Sequence, residues 1–242
     1  LKAEEKGALR IPFSMEDNPG LSPQMLERYR TMFQGTFYRR FVLGEWVAAE
    51  GLVYDFFDES FVHTAPEGLE EWYISCDYGT VNPTSMGLWG KKDGVWYRTA
   101  EFYYDARKMH RQKTDEEYAD ALAELAGGRD IRAVIVDPAA ASFIETLRRR
   151  GWRVRRADNR VLSGIRLTAR LLKAGKLVIC PGCGDAIREF ALYRWEEQGD
   201  GQDRVRKEND HAMDEIRYFV ATVAAPEEGE DPFFAGYVER RV

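Results

Sequence analysis

The rhythm of apolar and polar positions changes several times along the chain, and each change marks an element. Trp72-Tyr73-Ile74-Ser75-Cys76 is a short aromatic and β-branched run, the pattern of a buried strand, and it closes on Asp77. Gly79 and Asn82-Pro83 turn the chain at once. Strands are predicted over 72–77, 84–91 and 94–104, the last two joined by a Lys92-Asp93-Gly94 hairpin turn. Thr114 followed by Glu117 is a capping box for a helix to about Ala126, which Gly127-Gly128 ends. Ile131–Val136 is a continuous apolar strand that closes on Asp137, because the residue before Pro138 is pushed to an extended conformation. Further helices are predicted over 139–150 with Gly151 as cap, 160–174, 184–194 and 210–224, with strands over 152–156 and 176–180.

The regular pattern begins only at Trp72. Before it, residues 1–10 read as a charged arm, Ser22-Pro23 opens a helix running to about Gln34 with Gly35 as its stop, and 51–57 looks extended. Gly199-Asp200-Gly201 reads as the tip of a protruding hairpin over 195–207, and a polar tail starts at Pro226. Phe233, Phe234 and Tyr237 make that tail either a partner-binding segment or a disordered end. The expected organisation is an N-terminal arm and linker over 1–65, one main domain over 66–225 and a tail over 226–242. Three antiparallel strands followed by helix–strand alternation give an α/β fold with a mixed central sheet flanked by helices.

Three acids stand out by position. Asp77 and Asp137 each end a strand, and neighbouring strands would release both carboxylates from one sheet edge. Asp214 lies on the last helix beside a stripe of Met213, Ile216, Phe219 and Val220, with His211 and Asp210 three and four residues earlier on the same face. Converging carboxylates repel unless a divalent cation neutralises them, and hard oxygen ligands suit Mg2+ or Mn2+. Two such ions can activate a water and stabilise the leaving oxygen of a phosphodiester. Each acid alone also reads as a turn former. His211 is an exposed helix residue or a near-metal ligand, Asp210 a helix cap, and Glu215 a solvated residue or the partner of an arginine.

The 242 residues carry a net charge of -6, which argues against a general nucleic-acid binder but leaves room for a local basic track. Arg148, Arg149, Arg150, Arg153, Arg155, Arg156 and Arg160 form such a run; it reads as a solvated helix end with an edge strand, or as phosphate contacts with DNA. Arg204, Arg206 and Lys207 on the hairpin are further DNA-binding candidates. No apolar run reaches membrane-spanning length and no signal peptide is visible, so neither membrane nor secretion is expected. Cys76, Cys180 and Cys183 are too few for a disulfide framework, and the lone Cys180–Cys183 pair reads as a turn. There is no GxxxxGK[ST] loop, hence no ATP site in this chain.

In this order the motifs resemble the nuclease domain of the large terminase subunit of tailed bacteriophages. The residues that carry the resemblance are Asp77-Tyr78-Gly79 with Asn82-Pro83-Thr84, Ile131–Val136 with Asp137-Pro138, Gly164-Ile165 before Leu171-Leu172, Glu189 with Tyr193-Arg194-Trp195, and Asn209-Asp210-His211 with Asp214 and Arg217-Tyr218. Asp17-Asn18-Pro19 through Gly44-Glu45-Trp46 to Gly51-Leu52-Val53-Tyr54 resembles the segment joining that family's ATPase domain to its nuclease. The resemblance implies a ribonuclease-H-like fold and metal-dependent cleavage of concatemeric double-stranded DNA during packaging, in the host cytoplasm. It implies Asp77, Asp137 and Asp214 as metal-binding and catalytic residues with His211 nearby, two Mg2+ or Mn2+ ions, and the portal protein, small terminase subunit and an ATPase domain as partners. Glu215 departs from the family, which commonly has Ala after this Asp. The alternatives are another nuclease of this fold, such as a junction resolvase or transposase, or a non-catalytic module docking on DNA or the portal.

Overall fold

A computed structural model describes residues 13–32, 38–39, 42–44, 51–196 and 203–225. The expected arm, the helix stop at Gly35, the Gly199–Gly201 tip and the tail with Phe233, Phe234 and Tyr237 lie outside the described residues. The chain divides into two compact units, 1–55 with 194–206, and 56–193 with 207–242. In the first, helix α1 (Pro23–Met32) opens as expected, with Ser22 Oγ accepting a hydrogen bond from Met25 N at 3.3 Å. The expected hairpin is represented by a single antiparallel bridge, Trp195 to Val205.

The second unit is built on a six-stranded sheet. Its strands are β1 (Glu70–Asp77), β2 (Thr84–Lys92), β3 (Val95–Tyr104), β4 (Ile131–Val136), β5 (Val154–Arg156) and β6 (Leu177–Ile179), in the order β5-β4-β1-β2-β3-β6. β1, β2 and β3 pair antiparallel, whereas β4 joins β1, β5 joins β4 and β6 joins β3 in parallel. The β2–β3 turn has both Asp93 and Gly94 at positive φ, the conformation the Asp-Gly pair favours. Helices α2 (Asp115–Ala126), α3 (Ala141–Arg149), α4 (Val161–Lys173), α5 (Gly184–Phe190) and α6 (His211–Phe219) cover the sheet. The capping box at Thr114 and Glu117 is formed by bonds of 3.2 and 2.9 Å.

Several boundaries differ from expectation. The helix predicted from 139 begins at Ala141, because Asp137 first closes a turn with the backbone N–H groups of Ala139 and Ala140. The helix predicted over 184–194 stops at Phe190, and the outer strands β5 and β6 shrink to three residues each. The last helix changes to a π-type turn over Val220–Ala224. The Cys180–Cys183 segment is the expected turn, with Cys183 N bonded to Cys180 O at 2.9 Å.

Alternation along the strands separates two cores. Ile74, Cys76, Val134 and Val136 face α2 and α3, where Tyr118, Leu122, Phe143 and Leu147 complete a buried apolar layer. Tyr73 and Trp89 face the other side, where Phe219 of α6 stacks on Trp89 at 4.1 Å. That alternation puts Ser75 and Asp77 on the α6 face of β1.

Candidate active site

The register of β1 on β4 explains why two remote acids emerge together. Ser75 pairs with Ile135 and Cys76 with Val136, so the next step along both parallel strands is Asp77 beside Asp137. Both leave the α6 face, because Ile74, Cys76, Val134 and Val136 point into the opposite core. Tyr218 of α6 closes the arrangement: its hydroxyl lies 2.7 Å from Asp137 Oδ2 and 3.5 Å from Asp77 Oδ1. The other oxygen of Asp137 accepts the Ala139 N–H at 2.7 Å, so the turn-forming and site roles coexist in one residue.

Helix α6 supplies the remaining groups. His211 Nδ1 sits 3.0 Å from Asp77 Oδ2. Asp214 is buried, 2.9 Å from Arg217 Nη2 and 3.4 Å from Lys207 Nζ. Asp77, Asp210, His211 and Asp214 line one cavity with Tyr78, Gly79 and Lys207. Burial raises Asp77 to about 6, with Asp214 and Asp210 adding repulsion and the His211 hydrogen bond opposing it. Burial of the His211 ring opposes its protonation, but the Asp77 carboxylate outweighs that and the pKa is raised. Burial also raises the Tyr218 hydroxyl, with Asp77, Asp214 and Asp137 adding to it.

Of the expected site residues, the fold joins Asp77 to His211 directly and to Asp137 through Tyr218, and places Asp77, Asp210, His211 and Asp214 in one cavity whose lining does not include Asp137. Asp214 is held by cations, and among the described residues no three His, Cys, Asp or Glu side chains form a ready metal cage. In donor chemistry the residues still suit a hard divalent ion: the cavity collects carboxylates whose repulsion a cation would relieve. Asp210 occupies the N-cap position of α6 but makes no capping bond; it faces Lys207 at 3.4 Å. The cap comes instead from Glu189 of α5, which accepts from Ala212 N at 2.7 Å and from the Tyr103 hydroxyl at 2.7 Å.

Two expectations about α6 are corrected. It is not an apolar stripe with polar flanks, since every residue from Ala212 to Phe219 is buried. Glu215 does not face solvent: it is fully buried and 2.7 Å from Arg98 Nη2, the arginine partner of the other reading. None of the arginines from 148 to 160 lines the cavity. Arg149 and Arg150 pair with Glu116, Arg155 donates to Thr222 O and Arg160 pairs with Asp158. Arg204 and Arg206 belong to the other compact unit. Tyr218, which the sequence offers only as part of the Arg217-Tyr218 motif and not as a site residue, lies four residues from Asp214 and so on the same helix face. Arg107, Lys108 and Arg188, which line the cavity with Lys207, had no signal beyond being charged residues in loops and on a short helix.

A mixed sheet of this order, with carboxylates at the ends of adjacent parallel strands and across from them on a helix, defines a ribonuclease-H-like domain with a carboxylate centre. Solved structures give its relationships. The large terminase of a thermophilic bacteriophage, in complex with ADP, is 45% identical over 92% of this chain and 57% of its own, with a TM-score of 0.83. The nuclease domain of the P22 large terminase is 17% identical over 71% of this chain and 91% of its own, TM-score 0.56. The large terminase nuclease of a second thermophilic phage, G20c, with bound cobalt is 14% identical over 71% of this chain and 97% of its own, TM-score 0.53. The last two show shared fold alone. No protein-family model and no curated protein matches the chain. The chain belongs with the large terminases as a terminase large-subunit nuclease-like domain, and spans 57% of the length of the ADP-bound relative. No helix among the described residues is long and apolar enough to cross a membrane.

Proposed function

We propose that this chain is a divalent-metal-dependent endonuclease that cuts concatemeric double-stranded phage DNA during genome packaging, with low sequence specificity. The observation that carries the reading is the Tyr218 hydroxyl within 2.7 Å of Asp137 and 3.5 Å of Asp77, on the cleft shared by Asp77 and Asp214. Asp77, Asp137 and Asp214 are the proposed metal-holding residues. Mg2+ or Mn2+, as a pair of ions, would supply charge neutralisation and an activated water. The G20c nuclease, solved with bound cobalt and with bound magnesium, is a precedent of the same fold.

The protein's own part is positional. His211 orients Asp77 through Nδ1, Tyr218 orients Asp137, and Arg217 with Lys207 holds Asp214 until a cation competes for it. Duplex DNA is the proposed substrate. An ATPase domain, the portal protein and the small terminase subunit are proposed partners of the longer protein. Plasmid nicking in Mg2+ or Mn2+ tests the reading: Asp77→Ala should abolish cleavage while the fold persists. Wild-type nicking in that variant overturns the assignment. Absence of both Mn2+ binding and cleavage in the unaltered chain favours a docking module instead.

A further inference from the structure

Of the cations that line the carboxylate cavity, Lys207 is one of the DNA-binding candidates expected from the sequence, whereas Arg107, Lys108 and Arg188 come from places the sequence did not single out. Two of them, Arg107 and Lys108, sit on the loop that follows β3, and β3 ends beside the start of β2 and hence on the same sheet edge as Asp77. The loop is built, not slack. Asp105 Oδ1 accepts from the backbone N–H groups of Arg107 at 3.0 Å and Lys108 at 3.3 Å. Met109 N bonds to Asp105 O at 3.0 Å, Arg111 N bonds to Ala106 O at 3.2 Å, and Ala106 is buried beneath. Its base is fixed by the Arg111–Glu117 ion pair and by Lys113 over the Tyr104 ring at 4.9 Å. Arg107 also donates to Asn82, on the turn after Asp77, at 2.9 Å.

Lys108, with Nζ 3.6 Å from Asp105 Oδ2, keeps a 74% exposed side chain, and beside it Met109 is 62% exposed. Arg188 of α5, paired with Asp185 at 2.6 Å, and Lys207, just before α6 and 3.4 Å from both Asp210 and Asp214, line the same cavity. A cation-rimmed cleft with an acidic floor suits a polyanion whose backbone rests on the rim while one phosphodiester approaches the carboxylates. An exposed methionine beside cations is the chemistry of a side chain that enters a nucleic-acid groove.

We propose that loop 105–111 is the element that grips duplex DNA over the cavity, Arg107 and Lys108 on backbone phosphates and Met109 against the groove. The choice of DNA as the polyanion rests on the nuclease reading above. Arg188 and Lys207 extend the phosphate track. The arginine-rich run from 148 to 160 lies on the β4–β5 side of the sheet and contributes no lining to the cavity.

The test is binding of a fluorescent duplex of about 30 base pairs, read by anisotropy in EDTA over a salt series, with a thermal melt of each variant to verify folding. Arg107→Ala/Lys108→Ala should bind about tenfold more weakly, with the slope of log affinity against log salt shallower by about two. Met109→Ala should weaken binding several-fold with the slope unchanged, because the residue is neutral. Arg148→Ala/Arg149→Ala should bind as the wild type does. Wild-type affinity and slope in the Arg107/Lys108 variant, or wild-type affinity in Met109→Ala, overturns the proposal; so does a loss confined to the Arg148/Arg149 variant. Binding in EDTA involves no cleavage, so such a failure leaves the nuclease reading standing. That reading fails separately, through nicking by Asp77→Ala.

Discussion

Arg98 of β3 and Glu215 of α6 form an ion pair inside the protein, Nη2 to Oε2 at 2.7 Å, with neither side chain exposed. Ser75 Oγ and Trp89 Nε1 donate to the other Glu215 oxygen, the latter at 3.2 Å, and Glu101 takes a second Arg98 nitrogen at 2.6 Å. Gly87 leaves the space: a Cβ there would lie 2.5 Å from Glu215 Oε1 and 2.6 Å from Arg98 Nε. Burial raises the Glu215 carboxyl, against the opposing pull of Arg98. Removing one partner strands a buried charge, whereas replacing both removes the problem. Glu215→Ala should therefore cost about 3–5 kcal/mol in urea unfolding. Arg98→Met/Glu215→Leu should cost far less than the sum of its single changes. Additive costs in that double-mutant cycle would show the pair to be uncoupled.

Asp77 gives the metal-free protein a pH dependence whose sign is fixed. Burial raises its folded pKa from 3.8 to about 6, so between those values the folded state binds the proton that the unfolded state has lost. Stability from this group falls as pH rises through that window, and the full penalty, on the order of 3 kcal/mol, stands above it. In EDTA at pH 7.5, Asp77→Asn should melt several degrees higher than the wild type, with the gap closing by pH 4. Added Mg2+ should raise the wild-type melting temperature at pH 7.5 and do little for the variant. An Asp77→Asn protein that melts below wild type in EDTA contradicts the burial argument.

Tyr218 is the residue through which the helix reads both strand ends. Its hydroxyl makes the 2.7 Å bond to Asp137, and no other described group bridges the two carboxylates so directly. Tyr218→Phe keeps the ring and removes only the bridge. Loss of an orienting partner behind metal-holding side chains typically costs 10–100-fold in metal affinity or activity. The variant should nick plasmid about 10–100-fold more slowly and need more Mn2+ for half-maximal rate, while unfolding near the wild-type midpoint. A nicking rate unchanged at every Mn2+ concentration removes Tyr218 from the site.

What was legible in the sequence follows the range of the forces involved. The capping box at Thr114, the Asp93-Gly94 turn and the strand ends at Asp77 and Asp137 depend on neighbours a few residues away, and these form as expected. The mixed sheet follows from the alternation of such elements. The surroundings of α6 do not. Period alone reads Glu215 as a candidate for a wet face, yet α6 packs against the sheet on one side and α4 and α5 on others. Glu215 is held from far along the chain by Arg98, and Arg217 donates to Asn159 O at 2.6 Å as well as to Asp214. Gly164 belongs to the same packing, since a Cβ there would lie 2.1 Å from Arg217 Cγ. Charge clusters in sequence and in space differ for a related reason: seven arginines close in sequence spread over a helix end, a strand and a turn, while the cations around the cavity come from three separate segments.

Glu189 supplies the last test, because it caps α6 from another helix. Its carboxylate accepts the Ala212 N–H and the Tyr103 hydroxyl, both at 2.7 Å, and is fully buried. Burial raises its pKa, while those two donors and His211 favour the charged form. The residue touches the first turn of α6, where His211 meets Asp77, so losing it should loosen that contact before it unfolds the sheet. Glu189→Ala leaves the buried Ala212 N–H without its acceptor, at a cost of about 1–3 kcal/mol, and frees the half-buried Tyr103 hydroxyl. Glu189→Gln retains one acceptor oxygen, which can serve only one of the two donors, so it should fall between Glu189→Ala and wild type in urea. Amide exchange of Ala212 and the residues just after it should accelerate in both variants, more in the alanine, with β1 and β4 amides still protected. Equal acceleration across helix and sheet would make Glu189 a general core residue rather than the clamp on the first turn of α6.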